Sequence, residues 1–188
     1  AGVGGVLAAG FAMPAVAALG ASTEAGRATF DDLDTEIGDM TLSERSTILY
    51  SDGSVMATFY AEDRIVVPPE EIAPVMGQAV VAVEDRRFYE HGAIDLEGIF
   101  RAVVTQQYVK NVLLEQAKVE GDAAAIEAAT ATTLGRKLRE AKLAIALEQQ
   151  YTKDEILNGY LNIANFGGVT YGIDAAAKRY FNVSAADL

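Results

Sequence analysis

The sequence predicts a mainly α-helical domain carrying one small β-hairpin and preceded by an N-terminal apolar segment. Three observations carry that reading. From residue 74 onward apolar residues recur at helical spacing, without internal repeats. Two β-prone runs, 45–50 and 54–60, flank Ser51-Asp52-Gly53, the pattern of a hairpin turn. The first twenty residues, AGVGGVLAAGFAMPAVAALG, hold no charged side chain. About 20 apolar residues cross a bilayer core, and Gly and Pro are tolerated in such helices. A membrane anchor over residues 1–20 is therefore expected; a cleaved signal peptide or a buried Ala/Gly-rich helix would read similarly.

The elements follow in order. Residues 21–44 are polar and acidic and read as a linker, which leaves 45–188 as the domain itself. Residues 65–69 (IVVPP) are extended ahead of their prolines, and Pro69-Glu70-Glu71 opens a short helix with acids in its first turn. The apolar run 80–83 leads into Glu84-Asp85. On a helix Glu84, Arg87, Phe88 and His91 stand at i, i+3, i+4 and i+7 and share one face. Segment 94–104 carries Leu96, Ile99, Phe100 and Val103 at helical spacing, and 105–118 carries Tyr108, Val109, Val112 and Leu113. The Ala/Thr-rich, acidic stretch 119–135 reads as a surface excursion. Segment 136–150 puts Leu138, Ala141, Ile145 and Glu148 on one stripe, with Leu134 just before. Thr152 and Glu155 form a capping box for a helix bearing Ile156, Leu157, Tyr160 and Leu161. Asn165-Phe166-Gly167-Gly168 ends that helix, and 171–181 reads as a last short one.

At 188 residues the chain is long enough for one domain with a sizeable core. It is 51% hydrophobic with a mean hydropathy of +0.15, and residues 1–20 account for much of that excess. It has no cysteine, which excludes disulfides and thiolate metal sites. A net charge of −12 argues against nucleic acid as a partner. Against that acidity, Arg136, Lys137, Arg139 and Lys142 crowd one short segment, with Glu140 at i+4 from Arg136 and i+3 from Lys137. Such a cluster is either a solvated helix with ordinary ion pairs or a cationic patch for phosphate, with a carboxylate that orients it or binds a divalent cation. The Glu84–Gly92 segment has the same two readings: a surface helix with Glu–Arg pairs and a satisfied histidine, or a carboxylate held where buried meets polar, suited to proton transfer.

The order of four motifs is more specific than any one of them. EDRRFYEHGAID from residue 84, TQQYVKN from 105, RKLREAKLA from 136 and KDEILNGYLNIANFGG from 153 resemble the successive motifs of peptidoglycan glycosyltransferases. These are the glycosyltransferase domains of class A penicillin-binding proteins and monofunctional transglycosylases. The resemblance covers roughly residues 45–188 and implies a lysozyme-like, mainly helical fold behind a single-pass anchor in a bacterial cell membrane, with the domain on the extracytoplasmic face. It implies polymerisation of lipid II, with Glu84 as general base and Glu140 as a second essential carboxylate. Asp85, Gln106, Gln107, Lys110, Arg136 and Lys137 would line the substrate site, the last three near the donor pyrophosphate. Phe88, His91, Gly92, Lys153, Tyr160 and Asn162 would frame the cleft, His91 as a hydrogen-bonding residue rather than a proton shuttle. Glu140 would also be the candidate ligand for Mg²⁺ or Mn²⁺. The implied partners are lipid II, the growing lipid-linked glycan, the membrane and other cell-wall synthesis proteins. The hairpin before the first motif leans towards the bifunctional proteins.

One departure stands out. The family's second motif reads Gly-Gly-Ser-Thr-Ile-Thr-Gln-Gln, and here Val104 runs straight into Thr105-Gln106-Gln107. The expectation is of a Gly/Ser/Thr-rich loop that the numbering passes over rather than of a true loss. Two other activities use related parts. A lysozyme-like lytic glycosidase also needs a catalytic Glu in a helical cleft, but hydrolysis has no use for the basic cluster at 136–142. A membrane-tethered scaffold without activity would draw its support from the shortened second motif.

Overall fold

The computed structural model describes residues 42–92 and 103–188. The expected anchor at 1–20, nearly all of the linker, and most of the expected helix 94–104 lie outside those residues. Among the described residues no helix is long and apolar enough to cross a membrane.

The predicted hairpin is present, with β1 (Ser46–Leu49) antiparallel to β2 (Val55–Phe59). Its turn is built as the residues suggest. Asp52 Oδ1 accepts from the Ser54 backbone N–H at 2.9 Å and from its hydroxyl at 2.6 Å, and Gly53 takes φ +86°. A second small sheet has the order β3-β5-β4, from β3 (Asp63–Arg64), β4 (Asn165–Gly167) and β5 (Thr170–Tyr171). Strands of two or three residues leave no alternation to read, so Asn165–Gly168 looked only like a helix terminator. The preceding helix does end at Ile163, but the terminator then folds back as β4 and β5.

Six helices complete the described fold. They are α1 (Pro74–Glu84), α2 (Val103–Glu120), α3 (Ala123–Thr130), α4 (Leu134–Gln150), α5 (Lys153–Ile163) and α6 (Ile173–Phe181). Proline opens α1, Asp122 and Thr133 cap α3 and α4, and the Thr152–Glu155 capping box opens α5 with both reciprocal bonds made. The stretch read as a surface excursion therefore contains α3, which packs on α2 through the buried Ala129. In α4 the buried positions are Glu140, Leu143, Ala144 and Leu147, so the inward face is rotated from the expected stripe. The reason is α2: Val109 packs on Leu143 and Ala144, and the Thr105 hydroxyl meets Glu148, which sets the two helices antiparallel.

Helix α5 lies at the centre, against α2, α1 and α6. Ile156, Leu157 and Leu161 join Val67, Phe88, Val104, Leu147, Ile173 and Ala177 in the main core. Gly159 lets α2 approach, since a Cβ there would stand 2.6 Å from the Tyr108 ring. The side chain of Asn162 clips the extended segment before α1. Its Oδ1 accepts the Val67 N–H and its Nδ2 donates to the Val67 carbonyl, both at 2.9 Å. Gly172 is required where β5 enters α6: it has φ +77°, and a Cβ would lie 2.9 Å from the Asn162 carbonyl oxygen.

Two polar contacts join the remaining pieces. Asp174 on α6 accepts the Ala185 N–H at 2.9 Å, and the Ala185 carbonyl accepts the N–H of Ala73, which precedes α1, at 2.8 Å. Fully buried Arg64 bonds Glu115 on α2 at 3.2 Å and Glu62 at 3.0 Å, and Lys118 bonds both carboxylates at 2.6 and 2.7 Å. Each cation lies 5.0 Å from the Tyr171 ring centroid. Two cations and two carboxylates balance, which lets this charge group be buried between the small sheet and α2.

Replacing Asn162 with alanine strips two partners from the buried Val67 backbone. At about 1–3 kcal/mol for each unsatisfied group, a loss of about 2–6 kcal/mol is expected, read as a lowered midpoint in thermal or urea unfolding.

Candidate active site

On α1 the partly buried positions are Met76, Gly77, Val80, Val81 and Glu84, so the carboxylate continues an inward stripe. The helix stops there, and Asp85 follows with φ −157° and ψ 87°. The expected single helical face of Glu84, Arg87, Phe88 and His91 is therefore not formed. Asp85 supplies the reason, because its carboxylate competes for donors that a continuing helix would use. It accepts the Arg87 N–H at 3.3 Å and His91 Nε2 at 2.9 Å, while its carbonyl accepts the Phe88 N–H at 3.0 Å. Phe88, 1% exposed, anchors the resulting turn in the core.

His91 faces an acceptor on each ring nitrogen. Nδ1 lies 2.6 Å from the Gly92 carbonyl and Nε2 against the Asp85 carboxylate. Only the doubly protonated ring donates to both. Burial works against that charge, but the Gly92 carbonyl and the Asp85 carboxylate together outweigh it and raise the pKa.

Glu84 neighbours Tyr160 of α5. Burial raises the Tyr160 pKa, and the negative charge of Glu84 adds to it. The phenol thus stays protonated beside the carboxylate. Against α1 and α5 runs a cavity of about 730 Å³, lined by Gly77, Val81, Arg86, Asp154 and Asn158 among others. Tyr89 closes its end by donating to Asp154 at 2.8 Å, and burial followed by that bond pushes the Tyr89 pKa up to about 12. Neither Glu84 nor Tyr160 lines this cavity.

The basic cluster opens α4. Arg136 pairs with Glu140 Oε1 and also donates to the Ala131 carbonyl, and Lys137 Nζ lies 3.3 Å from Glu140 Oε2. Glu140 is 1% exposed whereas the Lys137 side chain is 54% exposed. The carboxylate is thus a buried anchor for two cations, one of which reaches outward. Gln106, Gln107 and Lys110 are partly buried on α2.

The numbered sequence is continuous across Val104-Thr105, and α2 runs through that junction from Val103. Both residues are buried, at 0% and 2% exposure. The loop expected to have been passed over is thus not part of this chain, and what remains of the motif is the start of a helix. Comparison with known families meets the same junction. The transglycosylase family model matches residues 52–105 and 103–188. The chain belongs to the transglycosylase family. Over 161 residues it is 39% identical to penicillin-binding protein 2D of Bacillus subtilis, covering 77% of this chain and 21% of that protein. Over 165 residues it is 36% identical to penicillin-binding protein 1A of Escherichia coli, covering 80% of this chain and 18% of that protein. Penicillin-binding protein 1A of Mycobacterium tuberculosis is 35% identical over 161 residues, covering 77% and 18% respectively. The chain thus spans about one-fifth of the length of these curated relatives. It is a transglycosylase domain of the class A penicillin-binding-protein type.

In this transglycosylase domain the first and fourth motifs converge. Lys153 Nζ sits 4.6 Å from the centroid of the Phe88 ring and donates to Glu148 Oε1 at 2.8 Å. Thr105 Oγ1 donates to the same oxygen at 2.7 Å. Glu148 and Thr105 were not among the residues expected at the site. The available signal was a carboxylate on an otherwise apolar stripe. Glu148 and Glu140 lie eight residues apart on α4, about 12 Å along its axis, so the basic cluster is a second, separate group.

Glu140 fits a divalent metal poorly. Mg²⁺ takes hard oxygen ligands in near-octahedral array, and here a lone carboxylate is already engaged by two cations. Among the described residues no group of three His, Asp or Glu side chains is placed to hold a metal ion.

The His91 arrangement carries a pH signature. Because its folded pKa is raised above the ordinary value of about 6.5, the stability it contributes is full below about 6.5 and lost as pH rises through the folded value. Unfolding midpoints measured across that range should fall with pH in the parent chain, and the fall should be shallower in His91→Gln.

Proposed function

We propose that this domain polymerises lipid II into glycan strands, with Glu84 as the general base. The observation that carries the reading is the partly buried Glu84 at the end of α1, beside Tyr160, in a chain of the transglycosylase family. In the proposed reaction Glu84 takes the proton of the acceptor sugar's 4-hydroxyl as that oxygen attacks C1 of the donor. The donor's bond to its lipid pyrophosphate breaks in the same displacement, so the anomeric centre inverts and the pyrophosphate leaves with the electron pair.

The leaving group needs positive charge. Lys137, with Arg136 held by Glu140, and Lys110 on α2 are the residues assigned to it. Asp85, Gln106 and Gln107 complete the assigned substrate contacts, and Phe88, His91, Gly92, Lys153, Tyr160 and Asn162 the frame around the cleft. Glu140 acts through the cations it orients, and Mg²⁺ or Mn²⁺ is assigned to the substrate's pyrophosphate rather than to a protein ligand set. The fold proposed to support this chemistry is lysozyme-like, with residues 1–20 as a single-pass anchor, 21–44 as linker and 45–188 as the catalytic domain outside the cell membrane. That placement brings the site to the bilayer surface where polyprenyl-linked substrates, the growing glycan and other cell-wall synthesis proteins would be met.

Incubating the chain with lipid II and Mg²⁺ tests the reading. Glycan polymer is expected, falling by about 10²–10⁴-fold in Glu84→Gln, the range for loss of a general base. Cleavage of preformed glycan would instead indicate a glycosidase, and a folded chain with no turnover would reject catalysis. In the same assay Lys110→Ala and Lys137→Ala are expected to lower kcat/KM for lipid II, each by about tenfold or more.

A further inference from the structure

We propose that Glu148 is a positioning residue for the transglycosylase reaction, holding the Glu84–Gly92 turn and the start of α2 in register through one carboxylate. The inference rests on the reading that Glu84 is the base, and it concerns a residue outside the four motifs. Three observations converge on it. Glu148 Oε1 accepts from two elements at once, the Thr105 hydroxyl of α2 at 2.7 Å and the Lys153 ammonium of α5 at 2.8 Å. The same ammonium lies over the ring of Phe88, the core anchor of the turn. A Cβ built on Gly92, at the far end of that turn, would stand 3.9 Å from Glu148 Oε2. One side chain at the end of α4 therefore touches or faces the turn, α2 and α5.

The pair is shielded, with the Glu148 side chain 11% exposed and that of Lys153 21%. At that exposure a charge-assisted bond is worth more than a surface ion pair. Thr105 directly precedes Gln106 and Gln107, so its bond to Glu148 sets how those amides stand relative to Glu84. Small displacements of reacting groups cost large factors in rate. Removing the charge of Glu148 should thus lower turnover while leaving substrate binding largely intact.

The chain's single histidine reports on this arrangement directly. His91 is faced by Asp85 and the Gly92 carbonyl within its own turn, and by Lys153 from α5, whose charge opposes its protonation. Glu148 partly neutralises Lys153. In Glu148→Gln the ammonium is less compensated, so the His91 pKa measured by NMR titration should fall. In Lys153→Met it should rise. Glu148→Gln keeps an acceptor for Thr105 and is the variant expected to fold; Lys153→Met approaches the same contact from the other side. With lipid II, Glu148→Gln should lose up to about 100-fold in kcat, the scale of a misplacement of about 1 Å among reacting groups, with KM changed little and activity partly restored in Glu148→Asp. An unmoved His91 titration, or a loss confined to KM, would overturn the proposal. The titration needs no substrate, so a parent chain inactive on lipid II would count against the proposed function, while the His91 shifts would still decide whether Glu148 and Lys153 act on the turn.

Discussion

The reciprocal hydrogen bonding between the Asn162 side chain and the Val67 backbone is the constraint on which the arrangement of this domain depends. A primary amide offers an acceptor and donors on one rigid plane, and here both sides are used on a single peptide-bearing residue, each at 2.9 Å. Among the described residues no strand pairs with Val67, and Asn162 supplies the pairing that one would give. The clip ties that segment to α5, and α5 is also the helix against which α2 packs through Gly159 and α6 through the main core. The Ala73–Ala185–Asp174 relay secures the entry to α1 from the opposite side. Both attachments act ahead of Pro74 and fix where the helix that carries Glu84 begins.

Termination of α1 is the next consequence. A carboxylate at the end of a helix is usually solvated, whereas Glu84 continues the partly buried stripe of its own helix and then the chain turns away. The turn is made by Asp85, whose oxygens are taken by a backbone N–H and by His91. Asp85 and Phe88 thus do for the chain direction what a cap and a core anchor do separately elsewhere, and Arg86 is left exposed on the turn. The adjoining Lys153 is shared between an aromatic face and a carboxylate, two favourable environments for a partly desolvated ammonium.

Buried charge is handled twice in this domain, to different ends. Around Arg64 two cations meet two carboxylates and stack on Tyr171, a closed group that joins sheet to helix. Around Glu140 one nearly inaccessible carboxylate gathers two cations, leaving an excess of positive charge and one exposed ammonium. The first arrangement balances its charges internally. The second still has attraction to offer an anion, which is the property a departing pyrophosphate would require.

Much of the architecture was legible in the residues. The Asp52-Gly53 turn, the Thr152–Glu155 capping box and the apolar spacing of α2 and α5 are local signals, each acting within a few residues, and each appears where expected. The motif order likewise pointed to the transglycosylase family. What could not be read locally was decided by partners distant in the chain. The inward face of α4 is rotated because Val109 of α2 selects it. The two-residue strands exist only because β3 and β5 meet across about a hundred residues. The helix face drawn through Glu84 and His91 fails because Asp85 finds a better use for its oxygens in a turn. Glu148, read as part of a stripe, becomes a junction once α2 and α5 arrive beside it. The sequence by itself determined which residues could cap, turn, pack or carry charge, since those are properties of side chains and short spacings. Only the tertiary structure decided which of them meet, because packing chooses among faces and acceptors that the chain offers with nearly equal local energies.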